Sequence, residues 1–184
     1  EPELRDAKML RYVKEYEIPE YDAGIITGSK NLADIFEATV ALCNKPKEVS
    51  NWIMVETMRL LKESEQEVEE LKLSPAKFAS LIELIDAGKI NRTIAKEVFE
   101  QIFKSDVDPK TYIEEHGLGM VSDDGLLRST IENILKENEQ SVSDYKNGKE
   151  KAFGFLVGQT MKVMKGKANP SVINEILREL LSKV

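Results

Sequence analysis

Apolar residues recur at spacings of three and four along almost the whole chain, and nowhere do they alternate as in a half-buried strand. With only six prolines in 184 residues, this periodicity confines the chain to an all-α fold. The length suits one medium domain or two small ones, each able to bury a core without covalent staples.

Start and stop signals agree with the periods. Met9, Leu10, Tyr12, Val13 and Tyr16 predict an amphipathic helix over residues 6–17, closed before Pro19. A short helix follows over 19–26, stopped near Gly28, and Ser29 is placed to cap a helix reaching Cys43. There Leu32, Ile35, Phe36, Val40 and Cys43 share one side, which predicts a buried thiol. Trp52, Tyr12, Tyr16 and Tyr21 fall at core or half-core spacing. Pro46 opens a helix carried by Val49, Trp52, Ile53, Met58 and Leu61 to about Glu63.

Ser74 and Pro75 then start a stripe of Phe78, Leu81, Ile82 and Ile85 that ends at Gly88. Asn91 starts the next helix, with Ile94, Val98, Phe99 and Ile102 inward, and Asp108 with Pro109 begins a short one that stops at Gly117. Ser122, with Asp123 and Asp124 favouring the helix dipole, opens a helix over 126–138. A short helix over 141–147, a basic one and a last one capped by Asn169 ahead of Pro170 complete the chain.

Charge suggests where to divide it. Residues 63–70 read ESEQEVEE, in which Val68 is the one apolar residue, so no core face can be drawn. We therefore expect two helical domains, 1–73 with an acidic linker over about 64–73, and 74–184. The first carries a net charge of −6 and the second −1.

One stretch departs from this acidic background. Lys146, Lys149, Lys151, Lys162, Lys165 and Lys167 meet only Glu150 between positions 146 and 167. On a helical wheel Lys151, Phe155, Gly158, Lys162 and Lys165 fall within about 40° of one direction, with Phe153, Leu156, Val157, Thr160 and Met164 opposite. Gly154 and Gly158 each cost roughly 1 kcal/mol against alanine in a helix interior. Close approach of another backbone, from this protein, a partner or a nucleic acid, would offset that cost. At the end of the strip, Gly166 permits a sharp turn flanked by Lys165 and Lys167. Asn169 and Pro170 then start a helix whose free N–H groups can face an anion.

Catalytic motifs are missing from the rest. The sequence has no glycine-rich phosphate cradle, no Ser-His-Asp or Cys-His pairing and no carboxylate cluster at ligand spacing. Cys43 and His116 are the sole residues of their types, too few for a Cys/His zinc site, and an intrachain disulfide is impossible. The single cysteine fits a reducing, cytoplasmic compartment. No apolar run is long enough for a membrane span. The chain opens on Glu1 within a charged helical pattern, which suggests a piece of a longer protein.

The run DYKNGKEKAFGFLVGQTMKVMKGKANPSVINEILRELL resembles the C-terminal signature of the B subunit of the glutamyl/aspartyl-tRNA amidotransferases (GatB), a region shared with the small YqeY proteins. KINRTIAKEVFEQIF, SDDGLLRSTI, RYVKEYEIPEYDAGIITGSKNLADIFE and NWIM are similar to further segments of the same family, so the resemblance covers nearly the whole chain. Two positions depart from the family pattern: Val55 stands where it has glycine, and Thr93, after Arg92, where a lysine often precedes IAKEVF.

The resemblance implies a helical domain followed by a YqeY-like tail that docks the elbow of a tRNA. In this family a separate cradle domain holds ATP and magnesium and converts Glu-tRNA(Gln) or Asp-tRNA(Asn) to the amidated product. Ammonia comes from glutamine through the amidase, or A, subunit, and the C subunit completes the complex. The expectation is thus a tRNA-binding fragment without cofactor or catalysis of its own. Its contacts would be Lys149, Lys151, Phe155, Gly158, Lys162, Lys165, Lys167 and Asn169. The alternative is a protein interaction module packing a neighbouring protein or domain on the Gly154/Gly158 face.

Overall fold

Capping side chains and prolines set several of the helix starts. The computed structural model describes residues 1–120 and 124–184, and among these no strand occurs. The expected roles of Ser122 and Asp123 lie outside the described residues; Asp124 sits in the first turn of its helix, as the dipole favours. Contacts group the chain into two compact units, residues 1–87 with 92–117, and residues 88–91 with 118–184.

The first unit contains α1 (Arg5–Glu15), α2 (Glu20–Thr27), α3 (Lys30–Cys43), α4 (Pro46–Trp52), α5 (Met58–Glu63), α6 (Pro75–Asp86), α7 (Arg92–Ser105) and α8 (Pro109–Glu115). Ser29, Ser74 and Asp108 accept backbone N–H groups at the starts of α3, α6 and α8, as their positions predict. α3 packs along α6, so Leu32, Phe36 and Val40 share a core with Phe78, Leu81 and Ile82. Phe99 of α7 extends it, with its ring centroid 5.3 Å from Phe78 and 5.2 Å from Trp52.

Between α4 and α5 the helix widens into a π-helical turn over Ile53–Thr57, where the Met58 N–H reaches the Ile53 carbonyl five residues back. Thr57 Oγ1 donates to the Trp52 carbonyl at 3.3 Å, supplying a bond that the wider turn would otherwise lack. Buried Glu56 is held by Arg59 at 2.8 Å and by Lys96 at 3.9 Å. Val55 is 55% exposed.

The acidic stretch after α5 is fastened to the first unit. Asn31 Nδ2 donates to the carbonyls of Val68 and Leu71, both at 2.9 Å, Leu71 and Leu73 are buried, and Glu67 with Glu70 closes a capping box on the 3₁₀ turn Val68–Glu70. The glutamates that suggested a linker face water around two buried leucines. Compact grouping accordingly puts α6 to α8 with the first unit, where Phe78 and Phe99 complete the aromatic core. Other sequence expectations differ in detail: Cys43 is half-buried and Tyr21 is exposed, because α3 and α2 turn those positions toward their edges. His116 ends α8 and lies on the Tyr112 ring at 4.0 Å between centroids.

The second unit is built from α9 (Asp124–Glu137), α10 (Glu139–Lys146), α11 (Glu150–Val163) and α12 (Pro170–Ser182), with α11 packed against the other three. Its core gathers Leu127, Ile131, Ile134, Phe153, Leu156, Met164, Ala168, Ile173, Ile176, Leu177 and Leu181. The Arg178 guanidinium of α12 lies 4.4 Å from the centre of the Phe153 ring, a cation–π contact that joins the last two helices. Arg128 of α9 pairs with Glu179 of α12 at 2.8 Å.

Candidate nucleic-acid interface

α11 is held by the same kind of turn at both ends. At its start, Gly148 adopts φ +88°, its N–H reaching Tyr145 and that of Lys149 reaching Asp144, each at 3.0 Å. At its end, Lys165 adopts φ 54°; its N–H reaches Lys162 at 3.1 Å and that of Gly166 reaches Met161 at 2.9 Å. Both are the paired bonds that close a helix C-terminus through a left-handed residue, and in the second turn Gly166 is left-handed as well, at φ +73°. Glycine fills that position ahead of α11, whereas lysine fills it afterwards at a conformational cost. Glu17, Asn44, Glu65 and Asp106 also take positive φ, so a non-glycine residue there is a habit of this fold.

Between these turns α11 has the two faces that its wheel predicts. Phe153, Leu156 and Thr160 are buried on one side, Met164 just past the helix end is buried with them, and Val157 is half-buried. Thr160 keeps its hydroxyl satisfied by donating to the Leu156 carbonyl at 2.9 Å. Lys151, Gly154, Phe155, Gly158 and Lys162 are exposed on the other side, with Lys165 exposed in the turn beyond. Phe155 is 47% exposed, a costly position for an aromatic ring that meets only water.

The glycines settle one question about packing inside the chain. Among the described residues, no atom beyond the helix's own nearby backbone lies within 4 Å of where a Cβ would stand on Gly154 or Gly158. Close helix packing within this chain therefore does not offset their cost. The backbone of α11 is bare toward the outside along one full turn, with a phenylalanine and lysines around it.

The remaining predicted residues join this face to different degrees. Lys149 lies at the entry to α11 with its ammonium 3.7 Å from Asp144; among the described residues it alone of the five lysines proposed for the site has an ion-pair partner. Lys167 is half-buried and Asn169 exposed. Asn169 Oδ1 accepts the Ser171 N–H at 2.9 Å, so this oxygen is engaged in capping α12. The turn is pinned from outside α11 and α12 as well: Asn91 Nδ2 donates to the Gly166 carbonyl at 2.8 Å. No motif in the sequence links Asn91 to this site, 75 positions away along the chain.

Arg92 makes an ion pair with Glu48 at 2.7 Å. Among the described residues, no three His, Cys, Asp or Glu side chains gather as a metal-holding group, and no helix is long and apolar enough to cross a membrane.

Comparison with known proteins agrees with the quoted motifs. A family model described as the GatB domain, GatB/YqeY, matches residues 34–181. The chain is 92% identical over 183 residues to the B subunit of the aspartyl/glutamyl-tRNA(Asn/Gln) amidotransferase of Lachnoclostridium phytofermentans, a match covering 100% of this chain and 38% of the relative. It is 59% identical over 181 residues to the protein of that name from Agathobacter rectalis, covering 98% of this chain and 38% of the relative. The corresponding protein of Caldicellulosiruptor bescii is 49% identical over 186 residues, covering 100% and 39%. The chain thus spans a little over a third of the length of these relatives, and by the extent of the family match it belongs to the GatB/YqeY family.

Proposed function

We propose that this chain is the tRNA-docking part of a GatB protein that works within an ATP-dependent, tRNA-dependent amidotransferase. The observation that carries this reading is the outer face of α11, where Gly154 and Gly158 leave the backbone uncovered beside exposed Phe155, Lys151 and Lys162. A bare backbone lets a phosphodiester chain approach closely, lysines neutralise it, and an exposed ring offers a stacking surface for the unpaired bases of an RNA elbow. Lys149, Lys165, Lys167 and the N-terminus of α12 at Asn169 extend the same contact.

On this reading the chain positions substrate, and the chemistry belongs to a cradle domain outside these 184 residues. That domain holds ATP and magnesium and amidates Glu-tRNA(Gln) or Asp-tRNA(Asn) with glutamine-derived ammonia, in a cytoplasmic complex with the A and C subunits. The family division, a helical domain to residue 73 and a YqeY-like tail from 74, is part of the proposal. Contacts group α6 to α8 with the first unit instead, and limited proteolysis decides between the two: first cuts within 64–73 support the family division, and first cuts near 88–91 or 118 support the contact grouping.

Roughly five phosphate contacts predict a steep fall of tRNA affinity with salt. Lys151→Glu combined with Lys162→Glu is expected to abolish binding in a filter or mobility assay. Binding that ignores the salt, or that survives the double substitution, would overturn the proposal. The exposed Phe155 and Val163 favour one other reading, a protein interaction face on α11. Gly158→Leu separates the two, since loss of complex assembly with tRNA binding intact selects the protein partner.

A further inference from the structure

The basic strip described so far consists of α11 and the turn that follows it. The structure adds a piece of chain from elsewhere in the sequence. Residues 88–91 belong to the second compact unit although α7 and α8 separate them from the rest of it. Gly88 takes φ +70°, Lys89 is exposed, and Ile90 is buried. The carbonyl of Lys89 accepts the Met120 N–H at 2.8 Å, and the side chain of Asn91 holds the Gly166 carbonyl at 2.8 Å. The segment is thus tied down by Met120 on one side and by the Lys165–Gly166–Lys167 turn on the other.

This fixes where the Lys89 ammonium can reach. Two residues of chain span at most about 7 Å, so the Cα of Lys89 stays within that distance of Asn91, whose amide touches the turn. A lysine stem is long enough to bring its charge level with Lys165 and Lys167. Among the described residues Lys89 has no ion-pair partner, while its backbone carbonyl is held by Met120 and its neighbour Asn91 by the Gly166 carbonyl.

We propose that Lys89 is a further phosphate-contacting residue of the tRNA-binding face and that Asn91 is its positioning residue, clamping the 88–91 turn to the 165–167 turn so that three lysines from two distant segments address one stretch of backbone. The inference rests on the function proposed above and adds a second segment to that site. Lys89 supplies charge without sequence reading, and Asn91 supplies geometry without touching the ligand.

The test measures binding of a tRNA transcript to the full chain across a salt series. Lys89→Ala is expected to lower affinity and to reduce the slope of log K against log salt by about 0.7 to 0.9, the share of one neutralised phosphate. Asn91→Ala is expected to reproduce most of that slope change while Lys89 is still present. The double variant should fall no further than Lys89→Ala alone, a coupling that a merely structural asparagine would not give. Asn91→Gln, which keeps the amide donor, should recover part of the slope. Circular dichroism melts of each variant identify any that fails to fold, and in that event Lys89→Gln, which leaves the backbone bonds of the segment in place, carries the test alone.

If the Lys151→Glu, Lys162→Glu double variant loses binding while Lys89→Ala and Lys89→Gln keep the parent slope, this inference is wrong and the docking function stands. If the parent chain binds tRNA without salt dependence, both are wrong.

Discussion

Gly158 is the residue where stability and function are expected to oppose each other. Its missing Cβ would meet nothing, so Gly158→Ala relieves the helix-propensity penalty without a clash and should raise stability by about 1 kcal/mol, read from denaturant midpoints. If a phosphate backbone lies against this face, the same methyl holds it off and weakens tRNA binding. A variant that is more stable and binds better would show that the glycine is an accident of the helix. Lys149 differs from the other site lysines, because its Asp144 partner already competes for its charge; Lys149→Ala should cost less binding than Lys151→Ala in the same assay. The sequence identified the lysines by charge alone and could not rank them, since Asp144 reaches Lys149 only through the Gly148 turn.

Helices were the part most open to reading in advance. Ser29, Ser74, Asp108 and Asn169 each sit where capping chemistry puts them, and the inward residues of α11 came from period alone. Leu156 lies wholly inside the core of the second unit, so Leu156→Ala is expected to cost about 2 to 5 kcal/mol by transfer and cavity terms, measured by chemical denaturation. What stayed hidden depends on contacts between segments. Asn31 fastening the acidic stretch, α6 to α8 packing with the first unit, and Asn91 gripping the Gly166 carbonyl all join positions that no local pattern relates. The π-helical turn escaped for another reason: Ile53 to Thr57 has the composition of an ordinary helix, and only the backbone shows the wider bond.

For the chain as a whole, charge gives both a solution property and a limit. Hydrogen bonds from Arg11, Lys104 and Arg128 hold Glu3, Glu100 and Glu179 below the usual carboxylate range, and the Thr111 N–H does the same for Asp108. A carboxylate depressed in the folded state contributes stability above its unfolded pKa, and that contribution is lost as pH falls through the folded value. Denaturant midpoints should therefore hold level from neutral pH to about pH 5 and decline through about pH 4 and below; a decline beginning above about pH 6 would need a different group. Length has its own consequence, through the π-helical turn. Removing one residue from an ordinary helix swings everything beyond it by about 100° and tears its buried face from the core. Here the helix from Pro46 to Glu63 already stores a spare residue in its widened turn, with Val55 outermost. Deleting Val55 would let the turn relax to α geometry while Trp52, Leu60 and Leu61 keep their inward aim, so a chain one residue shorter at this point can keep the fold.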